Sequence, residues 1–199
     1  MSTARPVRLL LGVLVALPLA VACGSSEADG SAATGTSASP ASSGPFTEVT
    51  AGTLSDETVP VPAEGDVTLV VLGAGRANAA GELRLSLADL ERLPMVEAVV
   101  FEPFIKRDVV FQGVRLEDLL AFADLPDSAA IHAVALNDYA VDLPVEVLRR
   151  EGTLLATRAD GRPITLEDGG PTRIVFTDDH PDTGNESLWI WSLASLERR

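Results

Sequence analysis

Cysteine occurs once in the 199 residues and histidine twice. A single thiol excludes an intramolecular disulfide and any metal site built from several cysteines. Aromatic residues make up only 5%, too few for platforms on which successive bases stack. Basic residues are also scarce, 15 Lys and Arg against 29 Asp and Glu, for a formal net charge of −14. A surface that acidic repels phosphate backbones, which excludes nucleic acid as a partner. No Gly-x-Ser-x-Gly nucleophile elbow occurs, which argues against a serine hydrolase. A dinucleotide loop is started but not completed. Gly73-Ala74-Gly75-Arg76 follows an apolar run, yet Asn78 stands where the third glycine belongs and no helical pattern follows.

What is present suffices for one domain. Hydrophobic residues make up 46%, enough for a core, and the length suits one folded unit better than two. The one long apolar run, Leu9 to Ala22, follows Arg5 and Arg8. It has the charged start and apolar centre of a secretory signal and is short for a membrane span. It ends Leu19-Ala20-Val21-Ala22-Cys23-Gly24. That ending resembles the lipobox of bacterial lipoproteins, whose cysteine is lipidated and becomes the first mature residue. Ala20 occupies the place usually held by leucine, with Leu19 one position earlier. The resemblance implies a signal peptide over 1–22, lipidation at Cys23 and a location in the bacterial cell envelope, lipid-anchored on the extracytoplasmic side of the membrane. Two or three acyl chains anchor stably where one is marginal. Cleavage would remove Arg5 and Arg8, leaving 13 basic against 29 acidic residues. Residues 23–65 begin as a Ser/Ala/Gly/Thr-rich tether that cannot bury enough surface to offset its ordering entropy. Within it, Phe46 to Pro62 reads either as a strand on the domain edge or as further linker.

The folded domain is expected over 66–199. Val67–Leu72 is β-branched and glycine-bounded, as strands are. Gly81–Leu85 reads as a second strand. Ser86 with Asp89 forms a capping-box pattern that opens a helix with Leu87, Leu90 and Leu93 inward. Strands follow at Val96–Phe101 and Val109–Phe111, then a helix over Leu116–Ala123. Ile131–Leu136 and Tyr139–Leu143 flank the turn residues Asn137-Asp138. Pro144 suits the first turn of a helix through Arg150. Further strands are read at Thr153–Arg158 and Arg173–Phe176, with Asp160-Gly161 as a hairpin turn and a last strand at Leu188–Leu193. Short strands interrupted by short helices predict an α+β fold with mixed, mostly antiparallel β-sheets.

The organising stretch runs from Phe111 to Pro144. Phe111-Gln112-Gly113-Val114-Arg115-Leu116-Glu117-Asp118-Leu119-Leu120 is followed by Ala135-Leu136-Asn137-Asp138-Tyr139. Asp160-Gly161-Arg162-Pro163-Ile164, Gly169-Gly170-Pro171 and the pair Trp189 and Trp191 then follow in order. Together these segments resemble the sulfite oxidase-type molybdopterin-binding oxidoreductase domain over roughly Val67 to Leu196. The resemblance implies a mixed fold built on β-sheets and, in catalytic relatives, a pterin-bound molybdenum that transfers oxygen atoms. Those relatives ligate the metal through a cysteine placed after the strand preceding the Gly113 motif. Here that region reads Val99-Val100-Phe101-Glu102-Pro103-Phe104, without a cysteine. A soft thiolate suits that metal, and one carboxylate is a poor substitute.

The candidate pocket residues are Arg107, Asn137, Asp138, Tyr139, Gly169, Gly170 and Arg173. The functional reading sets the Asn137 turn at the mouth of the former cofactor pocket, beside Arg107 and the Gly169-Gly170-Pro171 loop, where backbone amides and Arg173 would meet an anion. The other reading makes it an ordinary turn with Tyr139 filling the core edge. His132 reads as structural. Asp178-Asp179-His180-Pro181-Asp182 reads as a solvated turn, since its spacing does not match a calcium loop. No catalytic residue and no metal ligand is expected, and no cofactor, with molybdopterin as the alternative. The expectation is a membrane-tethered, non-catalytic module that binds a small anionic ligand or a partner protein. The competing expectation is a molybdopterin-dependent oxidoreductase with atypical metal ligation, and a third is a purely structural envelope lipoprotein.

Overall fold

The computed structural model describes residues 44–54, 59–127 and 130–199. The signal segment, Cys23 and the tether as far as residue 43 lie outside the described residues. Among the described residues, eleven strands form two sheets. The strands are β1 (Thr47–Thr50), β2 (Val67–Leu72), β3 (Glu82–Ser86), β4 (Met95–Glu102), β5 (Arg107–Arg115) and β6 (Ala130–Ala135), then β7 (Ala140–Pro144), β8 (Thr153–Ala159), β9 (Arg162–Pro163), β10 (Arg173–Phe176) and β11 (Leu193–Arg198). Three short helices intervene: α1 (Leu87–Leu90), α2 (Leu116–Phe122) and α3 (Val145–Arg149).

The first sheet has the order β1-β4-β5-β8-β10, with β9 paired to β8, and every pairing in it is antiparallel. The second has the order β3-β2-β11-β6-β7 and contains one parallel pairing, β11 on β2. The expected α+β fold with mostly antiparallel sheets is what forms. One contiguous core joins the inner faces of both sheets, from Leu69 and Val71 through Val96, Phe111 and Leu155 to Leu196.

Local chemistry explains most of the elements. The Ser86 side chain accepts from the Asp89 backbone N–H at 3.1 Å while an Asp89 carboxylate oxygen accepts the Ser86 N–H at 3.0 Å, closing the expected capping box. In α2, Leu116, Leu119 and Leu120 are all buried, the 3–4 spacing of one helix face. Gly113 turns out to be a packing requirement. A Cβ there would lie 2.0 Å from the Leu155 carbonyl oxygen, so only glycine lets β5 approach β8 at its bulge.

Three differences from the sequence reading matter. Thr47–Thr50 does pair with β4, which settles the open choice for that part of Phe46–Pro62 in favour of an edge strand. β5 starts at Arg107 and is nine residues long, because its partner β4 continues the ladder to Glu102↔Arg107. The last strand is Leu193–Arg198 rather than Leu188–Leu193. Leu188, Trp189 and Ile190 are all buried, a run without the alternation of a half-exposed strand. It touches β10 through the Ile174 N–H to Ile190 carbonyl bond and the Arg173–Trp191 bridge, while the next segment pairs with β2 and β6.

Candidate functional site

The tight hairpin between β4 and β5 builds the site. Glu102 ends β4, Lys106 adopts φ 55°, and the Lys106 N–H donates to the Glu102 carbonyl at 2.8 Å. The Glu102 carboxylate folds back under this turn and accepts the Ile105 N–H at 2.9 Å. Its other oxygen accepts from Arg173 Nη2 at 2.8 Å, and the two side chains are only 1% and 6% exposed. Burial pushes the Arg173 guanidinium down from its ordinary value, and the hydrogen bond and charge of Glu102 pull it back up. The same guanidinium lies 4.3 Å from the Trp191 ring centroid and 5.5 Å from that of Phe111, so the buried cation is held by a carboxylate and two aromatic rings.

Two hollows open on either side of this hairpin. The first, of about 650 Å³, gathers the charges and is termed the polar hollow: Glu102, Arg107, Asp160, Arg162, Asp168 and Arg173 line it together with apolar residues such as Ile105, Val109, Phe111 and Ile164. Arg107 donates to Asp160 at 2.8 Å. That bond, followed by one from the Val110 N–H, holds the Asp160 carboxyl below its usual range. The β8–β9 turn that carries Asp160 has positive φ at Asp160 and Gly161, as the Asp-Gly pair predicts. The second hollow, of about 500 Å³, is lined by Phe104, Asn137, Tyr139, Glu186, Ser187, Trp189 and Trp191. Trp191 lines both hollows, and the hairpin tip contributes Ile105 to the first and Phe104 to the second.

The candidate residues are thereby divided. Arg107 and Arg173 meet in the polar hollow, whereas Asn137 and Tyr139 meet in the aromatic one. Asp138 lines neither; with φ 64° it makes the turn, and its N–H donates to Ala135 at 3.1 Å. Gly169 and Gly170 act by leaving space. A Cβ on Gly169 would come within 2.7 Å of the Trp191 ring, and one on Gly170 within 2.1 Å of the Ile164 carbonyl oxygen. The Gly169 position thus seats the shared wall. The Tyr139 hydroxyl donates to the Ser187 carbonyl at 2.8 Å, so this turn is tied to the segment that carries the tryptophans.

Sequence reasoning missed Phe104, Trp189, Trp191 and Glu186 as lining residues, and also the partnership of Glu102 with Arg173, 71 positions apart. The available signal was local: a chain with two tryptophans places them two residues apart. Of the remaining residues noted in the sequence, His132 Nδ1 lies 2.7 Å from an Asp142 carboxylate oxygen across the β6–β7 pair. His180 is buried, unlike a residue of a solvated turn. Its Nδ1 accepts the Asp182 N–H at 3.1 Å, which leaves Nε2 to carry the proton toward Thr153 Oγ1 at 3.2 Å.

The residues present do not fit a pterin-bound molybdenum. The metal calls for a soft thiolate, and the chain's one cysteine is Cys23, outside the described residues. At the end of β4 stands Glu102, whose two oxygens are already engaged by Arg173 and the Ile105 N–H. Among the described residues no group of three or more His, Cys, Asp or Glu side chains could hold a metal ion. The same hollow sets the carboxylates of Glu102, Asp160, Glu167 and Asp168 beside the guanidinium groups of Arg107, Arg162 and Arg173, so its charge does not single out an anionic pterin.

Comparison with known proteins gives the lineage of this arrangement. No curated protein matches. The fold is similar to that in the crystal structure of the sulfane dehydrogenase SoxCD from Paracoccus pantotrophus, with a TM-score of 0.51 and 18% identity over 71% of this chain. The chain spans about 40% of the length of that protein. Residues 58–179 match the model of the oxidoreductase molybdopterin binding domain. The match takes in both Glu102 and Arg173 and covers more than half of the sequence: the chain belongs to the molybdopterin-binding oxidoreductase domain family.

Proposed function

We propose that this chain is a non-catalytic member of its family, a binding module for a small ligand or partner protein, held on the extracytoplasmic side of a bacterial envelope membrane by lipid on Cys23. The observation that carries the non-catalytic reading is the buried Glu102–Arg173 pair at the end of β4, 2.8 Å apart. Resemblance to catalytic relatives puts a metal-binding thiolate in this region. A carboxylate already neutralised by a guanidinium is a weak ligand for a soft metal. Family membership alone does not carry the activity over. The anchoring reading rests on the apolar run ending at Cys23 and the Ser/Ala-rich tether behind it. An anionic ligand in the polar hollow would have to draw Arg107 away from Asp160, or bind at Arg162, which forms no ion pair among the described residues.

The test uses the full-length chain, produced in a host that makes and exports molybdopterin proteins and purified from its membranes. Molybdenum is measured by elemental analysis and pterin by the fluorescence of its oxidised form. The proposal expects neither. Near-stoichiometric molybdenum overturns it and redirects work to oxygen-atom donors and acceptors; pterin without metal would make the pterin itself the ligand. Incorporation of labelled fatty acid that disappears in Cys23→Ser checks the anchor.

A further inference from the structure

The aromatic hollow concentrates a scarce resource. Its lining includes Phe104, Tyr139, Trp189 and Trp191, that is, both tryptophans and the one tyrosine of the chain. Phe104 stands edge-on to both indoles, 5.2 Å from Trp191 and 6.5 Å from Trp189 between ring centroids. The polar tips of two rings are already tied off: Trp189 Nε1 donates to the Thr183 carbonyl at 3.0 Å and the Tyr139 hydroxyl to the Ser187 carbonyl. Those bonds fix the Trp189 and Tyr139 rings in place. Trp189 is buried and Trp191 is packed against the Arg173 guanidinium and Gly169, so the ring surface open to a ligand is chiefly that of Phe104 and Tyr139, 43% and 42% exposed.

The charge of the lining selects the ligand. No Lys, Arg or His lines the hollow, and its one ionised group is Glu186. An anion would face that carboxylate and the negative faces of the rings. A neutral apolar molecule would leave Glu186 unused, and a primary ammonium would lose hydration that Asn137 and Glu186 only partly replace. A methylated ammonium is weakly hydrated and favours aromatic faces beside a carboxylate. Trp191 already receives one cation, the Arg173 guanidinium at 4.3 Å. The ion pair with Glu102 offsets the charge of that guanidinium, so it does not set a net positive charge against a second cation.

We infer that the hollow between the Asn137–Tyr139 turn and Trp189 is a binding site for a small quaternary or methylated ammonium compound. This rests on the binding-module reading and names its ligand class. The two tryptophans make intrinsic fluorescence a direct report of the site. The full-length protein in detergent is titrated with choline and, in parallel, with 3,3-dimethyl-1-butanol, its uncharged isostere, at constant ionic strength.

Choline should give a saturable fluorescence change with a dissociation constant at least about fivefold below that of the isostere. Tyr139→Leu and Glu186→Gln, both at exposed positions, should each weaken choline about threefold to fivefold. Glu186→Gln should leave thermal unfolding near the parent value, and Tyr139→Leu should lower it modestly through the lost hydrogen bond to Ser187. Equal responses to choline and the isostere, a non-saturating choline response, or unchanged choline affinity in both variants overturns the assignment. The binding module and its ligand class are tested separately. Molybdenum in the preparation would remove the binding-module reading, whereas a metal- and pterin-free protein that ignores choline would remove the ligand class alone.

Discussion

The two hollows share Trp191 yet differ in how they spend their charges. In the polar hollow, the Glu102–Arg173 and Arg107–Asp160 contacts satisfy ions with one another. In the aromatic hollow, Tyr139 and Trp189 are locked by neutral hydrogen bonds and Glu186 has no counter-ion in the lining. Where charges are matched in this way an incoming ion must first break a pair, Arg162 being the cation of the lining that stands outside such a pair among the described residues. A site with fixed rings and one open carboxylate has nothing to break. The family's chemistry is expected near the first, and the better opportunity for binding lies at the second.

The largest effect should come from unbalancing the matched side. Glu102→Leu strands a buried guanidinium and should destabilise the protein by about 3–5 kcal/mol in chemical denaturation. Asp160→Asn removes an ion pair whose partners are roughly half exposed, and should cost under about 1 kcal/mol. Similar losses for the two would erase the distinction between a buried lock and a solvated rim.

Next comes the shared wall. Gly169→Ala places a Cβ 2.7 Å from the Trp191 ring at φ 82°, so strain and displacement should cost about 1–3 kcal/mol. The tryptophan emission should move with it. An unchanged spectrum would mean that Gly169 does not seat the wall.

Acidification should separate the hollows by pH. His180 packs on Phe176, 4.6 Å between centroids, and Phe176 meets Trp189 at 6.0 Å, so it backs the aromatic hollow. Burial pushes His180 below its ordinary value of 6.5, the charges of Asp182 and Arg150 acting in opposite directions on it. A lowered folded-state value means the unfolded chain takes up the proton first. The stability contributed by neutral His180 is therefore complete above pH 6.5 and is lost as pH falls through the lowered value. Asp160, lowered from 3.8, keeps its contribution until pH drops below 3.8. Melting temperature against pH should show the earlier decline in the parent and lose it in His180→Gln. Persistence of that decline in the variant would acquit the histidine.

The smallest effect is expected at the turn. Tyr139→Phe keeps the ring and removes one partly exposed hydrogen bond to Ser187; the cost should be about 0.5–1 kcal/mol. Tm comparison with the parent checks it, and a loss as large as that for Glu102→Leu would mean the turn is part of the core.

Much of the frame was legible because it rests on local rules. The Ser86–Asp89 capping box, the Leu116-Leu119-Leu120 face and the Asp160-Gly161 turn each declare themselves within a few residues. The expectations for Cys23, the signal segment and the early tether fall outside the described residues, and the fold does not bear on them. The last strand was misplaced because Leu188-Trp189-Ile190 is buried throughout, and an apolar run without alternation does not reveal where sheet pairing starts. The site was harder still. Glu102 and Arg173 meet across 71 residues, and no periodicity encodes that meeting. The grouping of Arg107 with Asn137 and Tyr139 treated sequence motifs as neighbours, whereas the β4–β5 hairpin places its own tip between them.

A non-catalytic site requires Glu102 and Arg173 to be a lock rather than two independent side chains. A double-mutant cycle of Glu102→Leu, Arg173→Met and the combined variant measures this in chemical denaturation. The combined variant should cost at least about 2 kcal/mol less than the sum of the single losses, since it leaves no buried charge without a partner. Losses that add to within about 0.5 kcal/mol would show that the two residues do not depend on each other. The carboxylate would then be free to take another partner, and the non-catalytic reading would lose its support.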